Sequence, residues 1–414
     1  MAGRNESQSI GWGTVALAAL MMLATLPGRT QGLGLITEPM LRELHLDRVL
    51  YADINLWATL LGSAACLPAG WLLDRFSLRW SGTGLLLLLG GVVWCMSRQT
   101  GNIAILFVCI LLTRAVGQSA LSVTSITVVG KTASKRVGLA MGVYSVLLSV
   151  FFAAAFTVVG GIVRNHGWRT AWEMVALALI FGIAPLVLLF LREPRALEEP
   201  IGESEETSLT GSMALLPALR TPAFWIFGGA TALFGLVSSG LGLFNEAVLA
   251  ERGFGQKTYH EFLAVTTLIA LIGQLVCGWL SLRWPMQRLL GIAMFLYAGA
   301  LAALPLLNTL AQLWILAGLI GLAAGIITVL FFAIWSHVFG RAQLGRIQGA
   351  AQMLTVFASA LGPVVFAKCH AVTGSYAPLL LLLAPLVFLL GVTAWLVSLP
   401  KISTEVLRKG SAEA

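Results

Sequence analysis

The chain has 414 residues, of which 58% are hydrophobic and only 11% charged, and its formal net charge is +8 at neutral pH. Soluble globular proteins contain about 25% charged residues, so this composition excludes that class and indicates a chain that lies mostly in lipid. The basic residues stand in pairs and triplets at the ends of apolar runs, without one basic patch, which excludes nucleic acid as a partner.

Twelve apolar runs approach the length of about 20 residues that a membrane-spanning helix needs. They lie near 12–37, 52–73, 82–98, 103–129, 138–163, 170–191, 222–247, 259–281, 288–307, 312–335, 346–369 and 376–398. The longest polar stretch, 192–221, is rich in Glu, Ser, Thr and Pro, a composition that cannot bury a core. The sequence therefore predicts an all-α membrane protein with an N-terminal six-helix half (1–191), a cytoplasmic linker (192–221) and a C-terminal six-helix half (222–414).

An internal repeat relates the two halves with an offset of 208 residues. The stretch Gly70-Trp71-Leu72 recurs as Gly278-Trp279-Leu280, and Gly32–Glu38 recurs with two substitutions as Gly240–Glu246. Because the offset holds without a gap across a whole helix and loop, the two six-helix halves are predicted to be pseudo-symmetric copies of one unit. One difference stands out in the repeated loop, where Leu282 replaces Asp74.

Lys and Arg residues favour the side of the membrane that carries the N-terminus, with 16 there against 8 on the other side. Because basic loops stay in the cytoplasm, the multi-pass chain is predicted to have both termini, and the loop near residue 74, in the cytoplasm.

The loop between the second and third runs contains a spaced set of glycine and charged residues: Gly70, Asp74, Arg75 and Arg79. It resembles the signature G-x-x-x-D-R-x-x-x-R of the major facilitator superfamily, and Arg114–Gln118 and Gly167-Trp168-Arg169 are similar to further patterns of that family. The resemblance covers nearly the whole chain and points to the organic-anion or monocarboxylate type. It implies a transporter fold in which the first, fourth, seventh and tenth helices line the path.

Two arginines lie inside apolar runs, Arg29 just after Pro27-Gly28 and Arg114 in the fourth run. A charge at that depth is costly unless it meets water, a counter-charge or a bound anion. We expect the two guanidinium groups to share one water-filled cavity and to bind an anion, with Gln31 and Gln118 in the same site. The alternatives are an ion pair of Arg29 with Glu38 or Asp53, snorkelling, and, for Arg114, hydrogen bonds to carbonyls of a neighbouring helix.

The second half contributes uncharged polar groups to the candidate site. These are Asn245, Gln274, Thr328, Trp335 and Gln352, and Gln348 lies on the same helix face as Gln352. Such side chains either hydrogen-bond a substrate or hold helices together.

Five further residues are candidates for gating. Asp74 is expected to pair with Arg75, with Arg79 or with a helix end across the two halves, the pairing changing between inward-open and outward-open states. Glu38 and Glu246 occupy matching positions at the outer ends of the first and seventh helices and form a candidate outer gate.

We therefore predict a secondary active transporter, acting as a monomer by alternating access, for a small organic or inorganic anion such as a carboxylate, with proton symport or exchange. A transporter of neutral or cationic solutes and a non-transporting membrane sensor are the alternatives. The five cysteines and five histidines have no metal-ligand spacing and form no catalytic arrangement, so neither an enzyme nor a cofactor is predicted.

Overall fold

The computed structural model describes residues 11–46, 48–132, 137–191, 213–341 and 343–399. The described residues form sixteen α-helices. These are α1 (Trp12–Leu23), α2 (Thr30–Glu43), α3 (Arg48–Ser63), α4 (Cys66–Arg75), α5 (Leu78–Ser97), α6 (Ile103–Leu112), α7 (Ser122–Thr132), α8 (Val137–Leu177), α9 (Ala184–Phe190), α10 (Leu215–Leu219), α11 (Pro222–Ala250), α12 (Gln256–Leu280), α13 (Met286–Ala303), α14 (Leu310–Phe339), α15 (Leu344–Thr373) and α16 (Ala377–Leu396).

Ten helical segments within the described ranges are long and apolar enough to cross a membrane. One of them, Val137–Phe190, contains two predicted spans, because the backbone turns at Gly167, whose φ of +83° favours glycine. The first predicted span is broken and qualifies only as the shorter segment Trp12–Gly28. When Val137–Phe190 is counted as two spans and Trp12–Gly28 as one, the helices account for the twelve spans that the sequence predicts.

The linker prediction for 192–221 falls mostly on residues outside the described ranges. Its last part is described, and there α10 forms one short helix ahead of the long helix α11, which Pro222 begins. The backbone amide of Met213 donates to the carbonyl of Phe339 at 2.9 Å, so the chain enters the second half along the end of α14.

The repeat is visible as a pair of matching contacts, one in each half. Glu43, at the end of α2, accepts hydrogen bonds from the Trp168 indole at 2.6 Å and from Arg169 Nε at 2.7 Å. The residue 208 positions later, Glu251, accepts from the Ser375 hydroxyl at 2.8 Å and from the backbone amide of Tyr376 at 3.2 Å. Each half thus ties the end of its first span to the turn between its last two spans.

The two halves meet most closely at the end of the bundle that carries residues 70–80, here called the Asp74 end. A Cβ added to Gly70 would lie 2.3 Å from the Gly345 carbonyl oxygen, and one added to Gly349 would lie 2.3 Å from that of Cys66. On the other side of the interface, a Cβ on Gly142 would lie 2.9 Å from the Cα of Gly278. Glycines let membrane helices approach to this distance, so the Asp74 end is tightly closed.

Candidate functional site

The first membrane span is interrupted in the middle, and the interruption begins at a proline. Leu26–Gly28 forms a single 3₁₀ turn, Arg29 is extended with φ −93° and ψ 150°, and α2 starts at Thr30. Pro27 has no amide hydrogen to donate to the preceding turn, and the extended Arg29 leaves the Gly28 carbonyl outside any helix. The break therefore supplies a free backbone acceptor inside the protein.

The interrupted span packs against a wide helical turn of the fourth span. Residues Thr113–Leu121, between α6 and α7, form a π-helix, and such turns are frequent at functional sites. A Cβ on Gly28 would lie 2.2 Å from the Thr113 carbonyl oxygen and 2.8 Å from the Gln118 amide nitrogen. Only glycine fits at this contact, so the break is held directly against the π-helix.

Arg114 lies inside this contact and is 2% exposed. Its Nη1 donates to the freed Gly28 carbonyl at 3.0 Å, to Thr30 Oγ1 at 3.2 Å and to Gln118 Oε1 at 2.9 Å. Its Nη2 donates to Asn55 Oδ1 at 3.1 Å, and Nε has no hydrogen-bond partner. All of these acceptors are neutral, and the main-chain contact is the packing alternative considered for this residue from the sequence.

Arg29 is half-buried, and its guanidinium group has a different set of neighbours. Nε donates to Thr25 Oγ1 at 2.7 Å, and Nη2 donates to Met22 Sδ at 2.8 Å and to Ser122 Oγ at 3.3 Å. The ring of Phe152 covers one face of the group at 5.3 Å. Among the described residues Arg29 has no carboxylate partner, and its Nη1 donates no hydrogen bond.

The two arginines differ in how far they are enclosed, and a cavity shared by both stays a prediction. Arg114 is enclosed because the π-helix and the broken span close around it, and its donors are directed to fixed protein acceptors. Arg29 keeps partial exposure, whereas Arg114, whose Nε also has no partner, is 2% exposed. The exposed Asp53 does not pair with Arg29.

The polar residues of the second half are mostly buried, and several lack partners. Trp335 is fully buried beside Phe224 and Phe339, with its indole nitrogen unpaired. Thr328 donates to the Ala324 carbonyl of its own helix at 2.7 Å. The side-chain oxygens of three buried glutamines have no hydrogen-bond partner among the described residues: Gln274, Gln348 and Gln352. Asn245 is 9% exposed. Whether these groups contact a substrate stays a prediction.

Asp74 joins the two halves through the start of α15, which is the third of its expected partners. Its carboxylate oxygens accept from the amides of Gly345 at 3.0 Å and Arg346 at 2.9 Å, and Lys131 Nζ lies 3.0 Å away. The Asp74 side chain is 4% exposed. A carboxylate is favoured at a helix N-terminus, where amide hydrogens are unpaired. We call these four residues the Asp74 contact.

The remaining candidates make other contacts or are exposed. Arg75 lies over the ring of Trp71 at 5.2 Å, and Arg79 donates to the carbonyls of Leu188 and Leu189. Gln31 and Glu246 are exposed. Glu38 belongs to α2, and its side chain lies outside the described residues.

Several residues of the two sites were not identified from the sequence. Met22, Thr25, Ser122 and Phe152 surround Arg29, and Lys131 completes the Asp74 contact. Ser122 is one of several hydroxyl residues in its run, together with Ser119, Thr124 and Ser125, so nothing in the sequence singles it out. Met22 and Phe152 look like ordinary membrane residues, and only the fold brings them to Arg29.

The family model described as Major Facilitator Superfamily matches residues 15–363 and 230–414 of the chain. No sequence among curated proteins matches it significantly.

Three similar solved structures share the fold over nearly their whole length. The E. coli fucose:proton symporter FucP is 14% identical over 93% of this chain and 99% of its own, with a TM-score of 0.71. The human organic anion transporter MFSD10 (TETRAN) is 16% identical over 94% and 100%, also with a TM-score of 0.71. FucP in the outward conformation is 15% identical over 94% and 99%, with a TM-score of 0.70. At these identities the likeness establishes the fold.

Proposed function

Because the chain belongs to the Major Facilitator Superfamily, we propose that it is a secondary transporter that carries a small anion, such as a carboxylate, by proton symport or exchange. The observation that carries the anion assignment is Arg29, a half-buried guanidinium with neutral partners and one unused donor nitrogen. A charge in such a place is stabilised by a bound counter-ion. A carboxylate matches a guanidinium in shape as well as in charge.

In our proposal Arg114 does not contact the anion but fixes the backbone on both sides of Arg29. By donating to the Gly28 carbonyl and to Thr30 it holds both ends of the break in place. The extended backbone of Arg29 lies between those two residues, so the direction of its side chain depends on Arg114. We therefore assign Arg114 a positioning role and Arg29 the contact with the anion.

Alternating access is proposed to operate through the Asp74 contact. The excess of Lys and Arg on that side supports a cytoplasmic position for the Asp74 end, and in our proposal the carrier is therefore closed toward the cytoplasm. Opening that end must break the carboxylate's two hydrogen bonds to α15.

Similar folds do not decide the cargo, because one belongs to a fucose:proton symporter and another to an organic anion transporter. The assignment to anions therefore depends on Arg29 and needs a direct test.

The test is a thermal-shift screen of the purified protein against carboxylates, nitrate, sugars and cationic drugs at constant ionic strength. We expect anions to raise Tm and the Arg29→Met variant to lose this response. The matched control is Arg283→Met, because Arg283 also lies over an aromatic ring, that of Trp279 at 4.8 Å, but in an exposed loop. Stabilisation of the wild type by sugars or cationic drugs alone would remove the anion proposal.

A further inference from the structure

A groove lies beside the contact between α13 and α16. The two helices approach closely at one point, where a Cβ on Gly291 would lie 3.1 Å from the Gly391 carbonyl oxygen. Next to this point they leave a groove with a volume of about 420 Å³. Five apolar or aromatic side chains line it: Ile292, Phe295, Val392, Trp395 and Leu396. Trp395 and Leu396 are exposed, and since both helices are membrane spans the groove opens toward lipid.

One end of the groove carries a positive charge. Arg288, in the first turn of α13, holds its guanidinium group 5.9 Å from the ring centre of Trp395. Arg288 is exposed, and among the described residues its guanidinium group has no hydrogen-bond or carboxylate partner. Ile292 and Phe295 follow one and two turns later on the same helix. The groove therefore extends about 10 Å from the charge into the apolar layer.

The first half uses the arginine at the matching helix end within the protein. The two helices correspond, since α5 and α13 begin 208 residues apart. Arg79, in the first turn of α5, donates to the carbonyls of Leu188 and Leu189 near the end of α9. Arg288 makes no such hydrogen bond to α16, so the second half leaves its guanidinium group available to a ligand.

Another arginine over a tryptophan ring, at the opposite end of the bundle, receives its counter-charge from the protein. Arg98 lies over Trp94 at 5.2 Å, and its Nη2 is 2.9 Å from Glu173 Oε1. The ring contact therefore does not use up the donors of the guanidinium group. Arg288 has the same kind of ring contact but lacks the carboxylate.

We propose that this groove binds an anionic phospholipid, with the phosphate on Arg288 and one acyl chain along Ile292, Phe295 and Val392. Two phosphate oxygens accept from a guanidinium in the same paired way as a carboxylate. Basic residues close to membrane spans attract the anionic lipids of the cytoplasmic leaflet, and the excess of Lys and Arg supports a cytoplasmic position for this end of α13. The bound lipid bridges α13 and α16 on the outside of their contact.

The test is native mass spectrometry of the delipidated protein with equal amounts of dioleoyl phosphatidylglycerol and dioleoyl phosphatidylcholine, which share their acyl chains. We expect the wild type to bind the first phosphatidylglycerol about fivefold more tightly, the effect of one arginine. Arg288→Gln should bind the two lipids equally. Val392→Trp fills the groove but keeps the arginine, and it should also lose the preference.

The matched control is Arg98→Gln, because Arg98 also lies over a tryptophan ring but already has Glu173 as its partner. It should keep the wild-type preference. Glycerol 3-phosphate at constant ionic strength should not displace the lipid, because it has no acyl chain for the groove. Equal binding of both lipids by the wild type, an unchanged preference in Arg288→Gln or Val392→Trp, loss of the preference in Arg98→Gln, or displacement by glycerol 3-phosphate would each overturn the site. The transport proposal does not depend on these outcomes, since it rests on Arg29.

Discussion

Two arginines of one half show how differently the same side chain is accommodated in an apolar interior. Arg114 is surrounded by fixed acceptors, among them a main-chain carbonyl that the break in the first span sets free. Arg29 has a hydroxyl on Nε and a sulfur on Nη2 and keeps one nitrogen unused. The first arrangement pairs both terminal nitrogens of Arg114 within the protein and leaves only its Nε without a partner. The second arrangement, in our proposal, is completed by a bound anion.

This contrast predicts opposite effects on the stability of the anion-free protein. Arg114→Met leaves the buried Gly28 carbonyl, Asn55 and Gln118 without a donor, at about 1–3 kcal/mol for each unpaired group. Arg29→Met removes an incompletely paired charge and is expected to be neutral or stabilising. Denaturant unfolding in detergent measures both, with Arg283→Met as the exposed control. A loss for Arg29→Met as large as that for Arg114→Met would show that Arg29 is structural.

At the scale of helices, the repeated contacts of Glu43 and Glu251 close each half at the end away from Asp74. Glu43 receives two hydrogen bonds from the turn at Trp168 and Arg169. The Arg169 hydrogen bond, more than the indole, lowers the pKa of the Glu43 carboxyl below its ordinary value of 4.5. Its side chain is 49% exposed, so solvent screens part of this interaction.

A lowered pKa fixes the direction of a pH effect. Unfolded Glu43 takes up a proton at a higher pH than folded Glu43, so its stabilising contribution is complete above pH 4.5 and declines as the pH falls through the lower folded value. We expect Tm to fall with acid more steeply in the wild type than in Glu43→Gln. The exposed Glu246→Gln serves as the control and should keep the wild-type slope. Parallel curves for the wild type and Glu43→Gln would contradict the assignment.

The helices were more predictable than the contacts between them. Hydrophobic length between charged or Gly/Pro breaks located the twelve spans, and the two arginines inside spans were recognised because charge is rare at that depth. The first span was expected to end near 37, yet α2 continues to Glu43, because helix length there is set by the contact with Trp168 rather than by hydrophobicity. The partners of Arg29 come from three separate spans, and no local pattern in one span specifies the other two.

At the scale of the whole molecule, closure of the Asp74 end depends on glycines that face each other across the halves. Gly349 admits the Cys66 carbonyl so closely that any side chain would collide with it. Cys66 is fully buried at this contact. Reaction of the Cys66 thiol with a reagent in solution therefore reports whether this interface has opened.

Gly349→Val is expected to hold the Asp74 end open and to expose the Cys66 thiol. The measurement is alkylation by a maleimide after Cys95 and Cys369, the two accessible cysteines, are replaced by serine. Wild type should react slowly, and Gly349→Val at least tenfold faster. The matched control is Gly299→Val, since a Cβ at Gly299 meets nothing within 4 Å. Equal rates for Gly349→Val and wild type would refute the proposed closure.

The Asp74 contact is built on an acid that the repeated loop does not keep. At the repeated loop Leu282 stands in place of the acid, and there α8 and α12 meet through Gly142 and Gly278 without any charged group between those two residues. Among the described residues, separation of α4 from α15 requires rehydration of the ion pair between Asp74 and Lys131. We expect the two halves to separate most beside α4 and α15 and to rotate about the contact between α8 and α12.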